Sequence, residues 1–355
     1  MKAILFSLLA LALCGCATLR TEGPTVSILI DLDPASTERT VIVESIGADR
    51  SGLLYLPDRV TGNILRVDPQ APGAVVVGRI AAREIQGRTA KAEPSGIAFD
   101  AQGDLFVAVG PFSEVVRIPK TELDPAAPGW AQTFATGTVG ANGIAFDRQG
   151  NLFVSGGAGG IVYRVGPNGG AAQTVVQIEK HVRTLPDGQT RQPIVANGIA
   201  FDADGVLHVA DTARGAIWKV AIAADGSGGR PVLLAQSPLL EGADGLAFDP
   251  SGTLWVAANE RNALVTVTPD GKVREVARNG SRGPLEFPSA IVFVGERGYV
   301  SNFDIPRRDN LDADRAAALD GIGASIARIQ QQAFHAGLLK IVGDFCCSRP
   351  IENGK

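Results

Sequence analysis

The sequence predicts an all-β fold, a six-bladed β-propeller with four-stranded blades whose ring is closed by an N-terminal strand. Three observations carry the prediction. A phrase recurs along the chain, as "EPSGIAFDAQGDLFVAVG", "GANGIAFDRQGNLFVSGG", "VANGIAFDADGVLHVADT" and "GADGLAFDPSGTLWVAAN". An aromatic slot follows each phrase at Tyr55, Phe106, Phe153, His208, Trp255 and Tyr299, at spacings of 51, 47, 55, 47 and 44 residues. Between these slots lie short alternating apolar runs broken by turn residues, and Gly 43 and Pro 21 against Met 1 leave little room for long helices. Four strands in each repeat of this length is the period of a propeller blade, whose two faces are buried only when blades stack in a ring.

The N-terminus reads as an address label. Met1-Lys2 precedes an apolar run from Ala3 to Leu13, and "LCGCA" follows. The run is too short to span a bilayer and has the length of a signal-peptide core. Residues 1–16 therefore read as a signal peptide. Leu13-Cys14-Gly15-Cys16 resembles the bacterial lipobox, with Cys16 as the lipidation site, while Gly15-Cys16-Ala17 also offers the small-x-small pattern of ordinary cleavage. Both readings place the mature protein outside the cytoplasm, in the bacterial cell envelope or periplasm. In the first, a lipid anchor is its membrane contact.

The propeller spans residues 25–330. Its third-strand runs are "ILRV", "VVRI", "VYRV", "IWKV", "LVTV" and "IARI", and its "D-x-x-G" hairpin turns begin at Asp49, Asp100, Asp147, Asp202 and Asp249. These turns resemble the start of a calcium loop, but their repetition between first and second strands reads as tight hairpins, with Asp capping and Gly taking positive φ. "GGAGG" (156–160) reads as another hairpin turn. His208 occupies the aromatic slot and is expected to pack between blades. The sixth blade lacks a fourth strand within its own repeat. "TVSILIDL" (Thr25–Leu32) is the favoured closing strand and "GLLKIVGDF" (Gly337–Phe345) its rival. The excursion Ile305–Gly321 leaves from the mouth side of the sixth blade and reads as a lid or a loop, with one short helix in "DADRAAAL". Residues 331–355 match no repeat, and Cys346-Cys347 carries no disulfide framework.

One position in the repeat changes chemistry while its neighbours stay apolar. Before "GIAFD" stand Glu44, Ser95, Asn142, Asn197, Asp244 and Ser289, in blade order. Each lies at the entrance to an innermost strand, so circular geometry brings them to one end of the central channel. Glu44, Asn142, Asn197 and Asp244 together present two carboxylates and two amides, an all-oxygen set that suits a hard divalent cation. Ca²⁺ is favoured, with Mg²⁺, Mn²⁺ or Zn²⁺ as further candidates. The loops between second and third strands return to the same face, placing Asp58, Asp211, Asn259 and Asn302 around it. Asp211 and Asn259 are candidates for substrate contact. His181, in the long entrance loop before Asn197, is a candidate second acid or base.

From Glu44 to Ile329 the chain resembles the regucalcin/gluconolactonase family of six-bladed propellers, most clearly in Asn197–Thr212 and Asp244–Ala257. The resemblance implies metal ligation by Glu44, Asn197 and Asp244 and a pocket lined by Asn142. It further implies hydrolysis of a lactone ring, the metal polarising the carbonyl and Asp244 taking the proton of the attacking water. Sugar lactonases of the family carry Arg two residues before the third-blade Asn, where this chain has Gly140, and their first-blade "EGP" reads "ESI" here. A sugar lactone is therefore not implied.

Other function classes find little support. A net charge of -4 and the lack of a Lys/Arg block argue against a nucleic-acid partner. No G-x-S-x-G occurs, which removes one common signature of serine-hydrolase chemistry. The leading reading is an exported hydrolase of a lactone or related ester acting on a small molecule. Its alternative is a non-catalytic propeller in which the cation is structural and the face binds a small ligand or envelope partner.

Overall fold

The structure is a computed structural model and describes residues 23–34, 39–184, 188–311 and 324–330. The expected signal peptide with Cys16, most of the excursion 305–321, the rival closing run "GLLKIVGDF" and the tail 331–355 lie outside the described residues. Six sheets of antiparallel neighbours form the ring, each running from an inner to an outer strand. Blade one comprises Gly47–Ala48, Leu54–Pro57, Asn63–Asp68 and Ala71–Arg79; blade five comprises Ala243–Phe248, Leu254–Ala258, Ala263–Val267 and Val273–Arg278. Blades one and two each gain a short parallel outer strand, Gly129–Trp130 and Gly170–Ala171, lent by the following blade. Two hairpins, Arg83–Ile85 with Arg88–Ala90 and Arg183–Thr184 with Thr190–Arg191, rise from the connections into blades two and four.

Ring closure is made by the N-terminal strand. Thr25–Asp31 pairs antiparallel with Ser325–Gln330, from Thr25 opposite Gln330 to Asp31 opposite Ser325. The last sheet thus holds strands from both ends of the propeller, which ties blade six to the start of the chain.

The aromatic slot is the seam between blades. Five of the six slot residues meet the Phe of the next blade's "GIAF"-type strand edge to face: Tyr55 with Phe99 at 4.9 Å, Phe106 with Phe146 at 5.0 Å and Phe153 with Phe201 at 5.0 Å. His208 with Phe248 at 5.1 Å and Trp255 with Phe293 at 5.6 Å continue the pattern. Such pairs contribute roughly 0.5–1.5 kcal/mol each beyond the area they bury. The packing role expected of His208 is the one observed.

The "D-x-x-G" turns are hairpins, as their repetition implies. Asp202 Oδ1 accepts from the backbone N–H groups of Asp204 and Val206, both at 2.9 Å, and Gly205 takes φ 80°. Asp249 does the same for Ser251 and Thr253, and its Oδ2 accepts from the Trp255 indole at 2.9 Å. The turn thereby also orients the aromatic slot. Among the described residues no helix is long and apolar enough to cross a membrane.

His208 introduces pH dependence into the seam. It is 5% exposed, and burial holds its pKa below the ordinary 6.5, opposed by the charge of Asp202 and the Val206 carbonyl. The unfolded chain therefore binds the proton more readily than the folded one below that value, so this contribution weakens stability as pH falls. His208→Phe, copying Phe106 and Phe153, is expected to flatten the loss of stability below pH 6.5 in urea melts. Equal slopes for variant and wild type would show that His208 takes no part in it.

Candidate functional site at the channel mouth

The glycine after the variable slot is what lets the inner strands converge. A Cβ on Gly96 would lie 2.2 Å from the Asn142 carbonyl oxygen, and one on Gly198 2.3 Å from that of Asp244. On Gly245 it would meet the Ser289 carbonyl oxygen at 2.5 Å. Each slot residue thus sets its backbone against the glycine of the preceding blade, and Gly96 N–H donates to the Asn142 carbonyl at 2.8 Å. Below the slots, Ile46, Ile97, Ile144, Ile199, Leu246 and Ile291 supply one aliphatic side chain per blade to a channel cavity of about 370 Å³.

Four of the six slots join in one polar cluster. Asn142 Nδ2 donates to Glu44 Oε1 at 3.4 Å, linking blade three to blade one. Asn197 and Asn259 both hydrogen-bond the Asp244 carboxylate, Asn259 through Nδ2 to Oδ2 at 3.0 Å. Asn197 Nδ2 also donates to Thr212 Oγ1 at 2.9 Å, and that hydroxyl donates to the Ala243 carbonyl at 2.6 Å. Ser95 and Ser289 turn away from the cluster. Ser95 Oγ donates to backbone carbonyls of blade three, and Ser289 Oγ donates to the Ser301 carbonyl at 3.2 Å.

Burial dominates the electrostatics of Asp244. Removal from water pushes its pKa up to about 7, while hydrogen bonds from Asn259 and Asn197 and the charge of Arg59 draw it down. The Oδ1 atoms of Asn197 and Asn259 are buried and accept no hydrogen bond among the described residues. An uncompensated buried carbonyl of this kind costs roughly 1–3 kcal/mol, so two beside a carboxylate mark a place built for a positive partner. Glu44, Asn197, Asn259 and Asp244 are the residues able to hold a hard cation. Among the described residues no group of three His, Cys, Asp or Glu gathers, so amide oxygens must complete any such set.

Arg59 is the member the repeats did not disclose. It follows Asp58 where the second strand of blade one ends, and its guanidinium forms an ion pair with Glu44. Its charge also acts on Asp244, and its Cζ stands 5.6 Å from the Phe303 ring centre. The signal was positional: the residue after the conserved-looking Asp or Asn of that loop is Arg59, Thr212, Glu260 or Phe303 in blades one, four, five and six.

Several expected loop contacts are corrected. Asp211 is fully buried and its carboxylate receives Arg214 Nη1 at 2.8 Å and the Trp218 indole at 3.0 Å, so it braces blade four instead of meeting a substrate. Asp58 is 2% exposed and accepts from Ile42 and Val60 N–H, which shapes the loop that delivers Arg59. Asn302 is likewise buried, bonded to Pro284, Ser325 and Glu286. His181 makes no hydrogen bond or ion pair among the described residues, and the segment before it is pinned through Arg214 to the Glu179 carbonyl at 2.8 Å. Of the lid, the described part reaches Leu311; Arg307 pairs with Glu260, and Arg308 Nη2 stands 3.5 Å from Glu241 Oε1, which fastens it to blade five.

The close approach at the axis is testable. Gly198→Ala is expected to lower stability by about 1–3 kcal/mol in urea melts, the usual cost of overpacking. Gly166→Ala, where nothing lies within 4 Å, should leave the melt nearly unchanged. Indistinguishable melts would remove the steric argument for the slot glycines.

Residues 179–299 match the model of the family described as SMP-30/Gluconolactonase/LRE-like region. That stretch includes Asn197, Asp244 and Asn259, while Glu44, Arg59 and Asn142 precede it. No curated protein matches the sequence. Among solved structures the chain is similar to a luciferin-regenerating enzyme, with TM-score 0.61 and 16% identity over 88% of this chain and 96% of the other. It is similar also to a gluconolactonase from Xanthomonas campestris, with TM-score 0.60 and 17% identity over 89% of this chain and 92% of the other. A third is regucalcin, a calcium-binding protein from Agrobacterium tumefaciens, with TM-score 0.58 and 15% identity over 88% of this chain and 96% of the other. At these identities the likeness shows the fold. The family resemblance read from the repeats is borne out: the chain is a six-bladed propeller carrying an SMP-30/gluconolactonase/LRE-like region in its second half.

Proposed function

We propose that this protein hydrolyses a lactone or related ester of a small molecule at the channel mouth, with a divalent cation held by Glu44, Asn197 and Asp244. The observation that carries the reading is Asp244 itself: a buried carboxylate that ionises at about 7, set beside two buried amide oxygens without hydrogen-bond donors. The calcium-binding regucalcin and the gluconolactonase among its structural neighbours support the same direction. A bound Ca²⁺, Mg²⁺, Mn²⁺ or Zn²⁺ would polarise a carbonyl and offset the negative charge that develops on it.

The chain's own residues supply the rest. Asp244, at the edge of the place where the cation would bind, is positioned to accept the proton of an attacking water. Asn259 Nδ2 holds the Asp244 carboxylate in place, and Thr212 does the same for Asn197. Asn142 steadies Glu44 from across the ring. Ile46, Ile97 and their equivalents supply aliphatic side chains to the channel beneath the site. The plain Gly140 in the third-blade entrance favours a substrate recognised by its ester function over one recognised as a sugar. Export follows from the apolar run and "LCGCA", with Cys16 as the anchoring residue.

Turnover of a panel of small lactones and aryl esters tests the reading, with Ca²⁺, Mn²⁺ or Zn²⁺ supplied to chelator-treated protein. Asp244→Asn is expected to lower kcat/KM by about 10²–10⁴-fold, the contribution of a positioned base. Activity indifferent to both the chelator and that substitution would defeat this mechanism. A protein that binds a cation but turns over nothing in the panel would favour the non-catalytic alternative.

A further inference from the structure

The oxygen cluster at the mouth already contains a positive charge, and it belongs to the chain. Arg59 Nη1 pairs with Glu44 Oε2, and Arg59 Nη2 stands 3.4 Å from Glu93 Oε2. The two partners differ in exposure. The Glu44 side chain is 12% exposed, that of Arg59 24% and that of Glu93 50%, so the guanidinium spans the way from the buried cluster to solvent. Its backbone is fixed: Arg59 N–H donates to the Ile42 carbonyl at 2.8 Å, and Asp58 accepts from Ile42 N–H at 3.1 Å and Val60 N–H at 3.0 Å. Movement at this point is therefore a matter of side-chain torsions alone. The Phe303 ring, directly after the second strand of blade six, flanks the guanidinium and offers it an aromatic face.

Glu44 leaves little for a second cation. Its Oε1 accepts from Asn142 Nδ2 at 3.4 Å, and its Oε2 is taken by Arg59. A divalent ion drawing on the Glu44 and Asp244 carboxylates would share their field with the guanidinium, and like charges at contact distance repel strongly in a partly buried site. We propose that Arg59 is a tethered cation that holds the place of the divalent ion, so that the two exclude one another, and that Glu93 receives the guanidinium when an ion enters. This inference rests on the reading that the cluster binds a divalent cation. It adds that the cluster is self-neutralised without one, and that ion entry is coupled to an outward swing of one named side chain. A pair of mutually exclusive cations weakens each other's binding by the same factor, which makes the coupling measurable from either side.

The test is calorimetric titration of CaCl₂ and MnCl₂ into chelator-treated full-length protein, with thermal melts as a second reading. Arg59→Met keeps much of the side chain's apolar length and removes its charge. It is expected to bind the ion on the order of tenfold or more tightly than wild type, and to show a larger ion-induced rise in Tm. Arg59→Gln, neutral but able to hydrogen-bond Glu44, carries the same expectation and remains informative if the methionine variant does not fold. Equal affinity, or weaker affinity in the neutral variants, overturns the tethered-cation inference while leaving the cation reading in place. Binding of neither ion to any of the three proteins overturns the cation reading and this inference with it.

Discussion

Six inner strands meet around one axis, and from blade two to blade six neighbours meet so closely that a single methyl group on the slot glycine is excluded. Gly143, Gly198 and Gly245 each face the slot carbonyl of the next blade at distances a Cβ could not tolerate. That steric limit gathers Glu44, Asn142, Asn197 and Asp244, residues up to two hundred positions apart, at one end of a channel. Without it the slots would be ordinary loop entrances. The ring in turn depends on the edge-to-face aromatic seams and on the pairing of Thr25–Asp31 with Ser325–Gln330, which prevents the blades from splaying.

The mouth is an electrostatic compromise. Two carboxylates are drawn out of water, and each is relieved differently. Glu44 is paired with Arg59, while Asp244 is relieved mainly by amide hydrogen bonds and stays close to its protonated form near neutrality. The unsatisfied amide oxygens of Asn197 and Asn259 sit on the Asp244 side.

The chain after the second strand of blade six connects this compromise to the outer structure. Phe303 flanks Arg59, and a few residues later Arg307 and Arg308 are tied to Glu260 and Glu241 of blade five. Blade six thus contributes to the mouth through the loop after its second strand, even though its own slot, Ser289, faces the backbone. Asp211 and Asn302 serve in the same structural sense, as buried braces for loops whose neighbouring residues face the site.

The sequence by itself determined the repeat, the blade count, the aromatic seam and the slot, because these depend on local alternation and on a spacing repeated six times. It also made Asn197 and Asp244 legible, since their phrases are the best preserved copies of the repeat. Only the tertiary structure decided which loop residues face the mouth. Where the second strand of blade one gives way to a turn, a single residue step separates Asp58, a buried brace, from Arg59, the cation in the cluster. It alone decided the ionisation of Asp244 as well, because desolvation is set by everything packed around a group and by nothing in its immediate sequence.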